Sequence, residues 1–178
     1  MKRFYLLLAL LPALLIIAGL TGCGGSSLSR NEYTIATGSK SGVYFPIGEA
    51  LGMILKKAFP DVALKVVETA GSVENLQMLR DRKVDLALVQ NDIAFYAVEG
   101  EAMFNGQKIT NVTGIATLFP EVVQIIVRKE TGIKALADLA GRKIAVGSKD
   151  SGTFYNAQQL LTVAKVWEQV DHQYVNAG

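Results

Sequence analysis

Three times in succession an apolar run ends in a short polar turn and is followed by an amphipathic run, and this pattern limits the fold more than any other feature. Asn31–Thr37 leads into Gly38-Ser39-Lys40-Ser41-Gly42, Val62–Val67 into Ala70-Gly71-Ser72, and Val84–Gln90 into Asn91-Asp92. After the first turn, Val43, Ile47, Leu51, Ile54 and Ala58 recur at spacings of three and four, which predicts a helix with one apolar stripe. Lys56 and Lys57 suit the negative end of that helix, and Phe59-Pro60-Asp61 stops it. Ser72 reads as the N-cap of a second helix carried by Val73, Leu76 and Leu79. Asn91-Asp92 caps a third, short helix that Gly100 ends. Strand, turn and helix in this order predict an α/β fold with a parallel sheet. Ligands collect at the carboxyl ends of the strands in such sheets, and here those ends carry Thr37-Gly38-Ser39, Ala70-Gly71-Ser72 and Gln90-Asn91-Asp92. Capping and turn chemistry explains each one alone; their gathering at one sheet edge makes a candidate site.

The first turn is repeated later in the chain. Ile144-Ala145-Val146-Gly147-Ser148-Lys149-Asp150-Ser151-Gly152-Thr153-Phe154-Tyr155 echoes Ile35–Phe45 with one insertion. A glycine-hydroxyl turn between strand and helix exposes backbone N–H groups at the helix's positive end, where an anion is favoured. Two such turns predict two lobes that aim helix starts at one small anion. Val112–Leu118 and Val122–Val127, flanking Phe119-Pro120-Glu121, read as the passage between the lobes. Thr131–Gly141 reads as a short helix with a glycine stop, Lys143–Gly147 as a strand, and about Phe154–Ala164 as a helix, whereas Lys165–Gly178 shows no clear strand. The expected limits are 32–116 for lobe 1 and 117–178 for the hinge and part of lobe 2.

The N-terminus precedes this fold. Met1-Lys2-Arg3 is a basic start, Phe4–Leu20 is apolar, and Leu20-Thr21-Gly22-Cys23 ends in small residues before a Gly/Ser stretch. This reads as a signal segment, 1–22, followed by a flexible tether, 23–31. It resembles the lipobox of bacterial lipoproteins, which implies lipidation of Cys23. An uncleaved membrane anchor is the alternative, since the apolar run is nearly long enough to span. Both place the remainder outside the cytoplasm and tie it to a membrane. A net charge of +2 over 178 residues, without a basic run, sets nucleic acid aside. The single cysteine excludes an internal disulfide. No catalytic arrangement or metal-ligand cluster suggests itself: the single histidine, His172, lies in the unpatterned tail, and Lys40 is misplaced for a Walker phosphate loop. No cofactor and no enzymatic activity are expected.

Several ordered segments together resemble the TAXI family, the solute receptors of TRAP transporters. They are Ile35–Gly48, Glu68–Leu76, Asp85–Asp92, Phe119-Pro120-Glu121 and Gly147–Thr153, spanning roughly 33–161. The resemblance implies a type II periplasmic-binding-protein fold. It also implies capture of a small organic anion, a glutamate- or 2-oxoglutarate-like dicarboxylate, for delivery to a TRAP-type permease. Ser41, Gly42 and Tyr44 from the first turn, Ser72, Gln90, hinge residue Glu121, and Ser151, Gly152 and Thr153 from the second lobe are the implied ligand contacts. Glu121 would accept from an amino group on the ligand, or stand as a solvated hinge residue. Lys40 and Lys149 would draw anions toward the cleft, and Asp85 would pair with Arg80 or Arg82. Family members are longer and Glu168–Gly178 carries no family motif, so the expectation is one complete lobe plus an incomplete second lobe in a C-terminally truncated chain. A non-binding fragment and, further off, an enzyme on the same fold are the alternatives.

Overall fold

The computed structural model describes residues 30–175. The signal segment, Cys23 and most of the tether lie outside the described residues. A three-stranded parallel sheet in the order β2-β1-β3 is built from β1 (Glu32–Ala36), β2 (Ala63–Val67) and β3 (Leu86–Ala87). Helices α1 (Tyr44–Ala58) and α2 (Ser72–Arg80) connect these strands, and α3 (Asn91–Glu99) follows the last. β1 is central because its neighbours sit on both sides, and its Ile35 and Ala36 are buried accordingly. The β3 ladder reaches past its two residues: Asp85 N–H donates to Thr34 O and Leu88 N–H to Ala36 O. The architecture is α/β with a parallel sheet, as the repeated strand-turn-helix pattern predicts.

Helix α1 meets the sheet on a different face from the expected stripe. Val43 and Ile54 are 62% and 63% exposed. The buried residue is Gly48, where a Cβ would lie 2.7 Å from Thr37 Cγ2 and 3.2 Å from Val66 Cγ1. Gly52 likewise faces Leu64, with a Cβ there 3.5 Å from its carbonyl oxygen. Glycines let the helix backbone approach the strands closely, so steric fit, not apolar spacing, sets its rotation.

Helix α2 is capped differently from the sequence reading. Gly71 is its N-cap, at φ 133°, and Ser72 is the first helical residue. The Glu74 carboxylate accepts from Ala70 N–H at 2.6 Å, which serves the helix start instead. Gln90 is the N-cap position of α3, one residue before the expected Asn91. Gly100 closes α3 in the left-handed region at φ 72°, as read from the sequence. Asp85 is structural, but its carboxylate accepts from Thr34 N–H at 2.7 Å and Thr34 Oγ1 at 2.9 Å; Arg80 pairs with Asp81 at 2.8 Å. Val73 and Leu76 of α2 pack with Ile93 and Ala97 of α3, Phe104 and Ile109 to form the core of this lobe.

A second, two-stranded parallel sheet pairs β4 (Lys143–Ala145) with β5 (Asp171–Gln173), and α4 (Gly152–Val163) connects them. β5 corrects the reading of the tail as patternless. Its residues Asp171, His172 and Gln173 carry no apolar alternation, so the strand is specified by pairing and by Val166 and Val170 in the core with Leu139, Val146 and Leu161. Residues 131–141 form short 3-10 turns rather than an α-helix, with Gly132 and Gly141 both at positive φ. The run Val122–Val127 joins no strand ladder and is exposed, Ile126 reaching 87%.

Candidate functional site

The carboxyl ends of the first sheet are tied together from below by buried polar groups. Asn75, 0% exposed on α2, donates to Thr37 O at 2.6 Å and Leu88 O at 2.7 Å. The Thr69 hydroxyl lies 2.6 Å from Asn75 Oδ1 and 3.0 Å from Thr37 O, and the Thr37 hydroxyl donates to Val67 O at 2.7 Å. One asparagine thereby links the ends of β1 and β3 to the turn after β2. The sequence reading placed Thr37 at a strand end but gave no role to Thr69 or Asn75. The available signal was Asn75 lying between Val73 and Leu76 and one turn after Ser72, on the face that the core buries.

Above this base, Tyr44, Ser72, Gln90 and Glu121 come together. Tyr44 Oη donates to Glu121 Oε2 at 2.7 Å, and its ring meets Phe119 edge-on at 6.4 Å. Burial pushes the Tyr44 phenol well above its ordinary value; the Glu121 hydrogen bond and charge add to this, Ser72 opposes it, and the Asp92 charge adds a little. The phenol is therefore a donor at every working pH. Ser72 Oγ accepts from Gln90 N–H at 3.0 Å.

The part of the chain that carries the second sheet reaches this cluster through the start of α4. Ser151 caps that helix: its Oγ accepts from Phe154 N–H at 3.0 Å and donates to Ser148 O at 2.7 Å. Gly152 faces Gln90 so closely that a Cβ there would overlap the Gln90 side-chain oxygen. A Cβ on Gly71 would lie 3.4 Å from Ser151. The Asp150 carbonyl accepts from Val73 N–H at 3.2 Å and Glu74 N–H at 3.4 Å, so α2's first amides meet backbone from the turn before α4. Asp92 and Asp150, which the sequence reading placed in the polar turns without a specific role, take part as well, and Asn156 is a participant that it did not assign. Asn156 was marked only by lying one turn after Gly152.

Ser41 and Gly42 stay within their own turn. Gly42 N–H donates to Ser39 O at 2.9 Å, and the Ser41 and Ser39 hydroxyls are 3.1 Å apart. Lys40 pairs with Glu68 through both its N–H and its ammonium, and Lys149 lies over the Tyr174 ring. A cavity of about 590 Å³ adjoins the cluster. Of the expected contacts its wall takes Gln90, Glu121 and Thr153, together with Asn156, and it continues along Ile144 and Leu161.

A family model described as the NMT1-like family matches residues 35–178. The chain belongs to the NMT1-like family. This is a periplasmic-binding-protein-like family, whose members are solute-binding proteins acting outside the cytoplasm. The NMT1-like match runs through 168–178, the segment that the TAXI resemblance left without a motif, and it includes β5. It also includes His172, whose ring stacks on Trp167 at 3.9 Å and whose buried Nε2 has no hydrogen-bond partner among the described residues.

Proposed function

We propose that this chain is an extracytoplasmic receptor of the TAXI type, capturing a small dicarboxylate for a TRAP-type secondary transporter and held at the membrane through lipidated Cys23. The observation that carries the reading is the meeting of two strand-end turns with the start of α4, through Gly71 and Gln90. Ser41, Gly42, Tyr44, Ser72, Gln90, Glu121, Ser151, Gly152 and Thr153 are the proposed ligand contacts. Lobe 1 is taken as 32–116, with the hinge and second lobe following.

The acidic surroundings of Tyr44 favour an amino acid over a keto acid. Glu121 accepts its hydroxyl, and both Glu121 and Asp92 act on it electrostatically. A second ligand carboxylate would be repelled there, whereas an ammonium group would be drawn to Glu121. The ligand carboxylates then belong nearer the helix starts.

Thermal melting with millimolar L-glutamate, L-aspartate, 2-oxoglutarate and succinate tests this. L-Glutamate should raise the melting temperature most, a ligand at a hundred times its Kd adding about 2.7 kcal/mol. Glu121→Gln should narrow the difference between L-glutamate and 2-oxoglutarate. A cooperative melt that none of the four shifts would remove the dicarboxylate assignment.

A further inference from the structure

The run Val122-Val123-Gln124-Ile125-Ile126-Val127 stands apart from the rest of the surface. Five of its six residues are β-branched, and it holds no charge, proline or glycine. It is open to solvent, Val122 by 75% and Ile126 by 87%. Among the described residues, no backbone N–H or carbonyl from 122 to 127 has a backbone partner. High β-propensity, unpaired backbone and zero charge together favour pairing with another strand. The usual protections, an edge lysine, a proline or a bulge-forming glycine, are missing inside the run. The other exposed apolar run, Val112–Leu118, is broken by Gly114. The limits of the segment are sharp. Pro120 stands before it, and the 3-10 turn Lys129–Thr131, closed by Gly132 at φ 70°, follows it.

The flanking charges select the partner. Glu121 stands at one end of the run and Arg128 at the other, both exposed. Two copies paired parallel and in register would set Glu121 against Glu121 and Arg128 against Arg128. Two copies paired antiparallel, about an axis between Gln124 and Ile125, set each Glu121 against the other copy's Arg128. Val122 then faces Val127, and Val123 faces Ile126. Opposite charges directly across such a pair stabilise it, and like charges do the reverse. We propose that 121–128 is a homodimerisation strand, whose partner is the same strand of a second copy in this antiparallel register. The contact is isologous, so it closes on itself as a dimer. Tyr44 takes one oxygen of Glu121 and leaves the other to accept from the second copy's arginine. Arg128 gives up only an exposed contact with Glu130 at 3.6 Å, of the kind that contributes little. The pairing goes beyond the receptor reading and does not rest on it.

The test uses the full-length chain carrying Cys23→Ser in a nonionic detergent, so that an introduced cysteine is the single one and all variants share one N-terminal segment. A mixture of Val122→Cys and Val127→Cys proteins, mildly oxidised, should yield about tenfold more linked dimer than either protein alone. In the proposed register 122 faces 127, whereas the two copies of residue 122 lie about 17 Å apart, beyond the reach of a disulfide. Val122→Cys protein that links to itself as readily as the mixture would mean parallel stacking and overturn the proposal. Sedimentation reads the dimer without cross-links. Arg128→Glu places like charges at both ends of the strand pair and should raise the dissociation constant about tenfold or more; adding Glu121→Arg should restore it. Ile126→Lys, at an exposed position, should weaken the dimer likewise and supplies the reading should a charge variant fail to fold, which circular dichroism checks. A parent that stays monomeric at roughly 100 µM would overturn the proposal. So would a dimer that folded Arg128→Glu and Ile126→Lys proteins leave unchanged. A monomer whose melt L-glutamate shifts would remove the pairing and keep the receptor reading; a dimer with no such shift would do the opposite.

Discussion

Replacing Asn75 should damage this protein more than replacing any residue proposed to touch the solute. In Asn75→Ala, Leu88 O loses the donor at 2.7 Å and Thr37 O the donor at 2.6 Å. Thr37 O keeps the Thr69 hydroxyl, so one of these losses is compensated. Leaving a buried carbonyl without a partner costs about 1–3 kcal/mol, and the space vacated by the amide adds about 1 kcal/mol. The expected total is about 2–4 kcal/mol. Asn75→Asp should be worse at neutral pH, because a carboxylate would face the same two carbonyl oxygens in a site with no solvent access. Thr69→Val should cost about 1 kcal/mol alone and should couple with Asn75→Ala by at least about 0.5 kcal/mol, since the two side chains touch. Urea unfolding measures these values as midpoint shifts at constant slope. An Asn75→Ala change below about 0.5 kcal/mol, or an Asn75→Asp protein as stable as the parent, would show that the strand ends are not held through this residue.

The two glycines on the sheet side of α1 should respond oppositely to alanine. Gly48→Ala forces a methyl group to 2.7 Å from Thr37 Cγ2 and should destabilise by about 1–2 kcal/mol despite better helix propensity; Gly52→Ala meets only ordinary contacts and should stabilise by about 0.5–1 kcal/mol, both read by urea melts. His172→Phe removes the partnerless Nε2 while keeping the stack on Trp167, and should leave the melting temperature unchanged or higher. The backbone N–H groups of Lys134 and Ala135 hold the Asp138 carboxyl below its usual range, so its stabilising effect is complete above the ordinary carboxylate pKa of about 4 and is lost as pH falls through the lower folded value. Asp138→Asn should therefore lower the melting temperature at pH 7, and the gap to the parent should close by pH 2–3, taking those as rough bounds.

The first sheet was legible because its signals are local. Each strand of β1–β3 is an apolar run, and each following turn is spelled in glycine, serine or asparagine next to the helix it starts. The rotation of α1 was not legible. Val43 and Ile54 continue a helical period, but the sheet selects the face where Gly48 fits against Thr37 and Val66, and that selection depends on strands distant in sequence. β5 was hidden for a related reason: Asp171, His172 and Gln173 become a strand through pairing with Lys143, Ile144 and Ala145. At the site, residue types at the turns were readable, whereas their partners were not. Nothing near Asn156 in the sequence indicates that its amide reaches Gln90 and Asp92, more than sixty residues away.

A helix start can receive a solute oxygen or a backbone carbonyl, but not both at once. The amides of Val73 and Glu74 take Asp150 O at 3.2 and 3.4 Å, at or beyond the long end of the normal range. Asp150 reaches that position at φ 62°, in the left-handed region where a non-glycine residue carries a conformational cost. The internal acceptor is therefore neutral, distant and conformationally disfavoured. A carboxylate at the same amides would be charge-assisted, with bonds roughly twice as strong. Under the receptor reading proposed above, the exchange would favour the anion on enthalpy. A solute without a negative oxygen would, on the same reading, gain less from replacing the Asp150 carbonyl. Selectivity for anions would then follow as much from the strength of the internal bond that must be broken as from the bonds the solute itself forms.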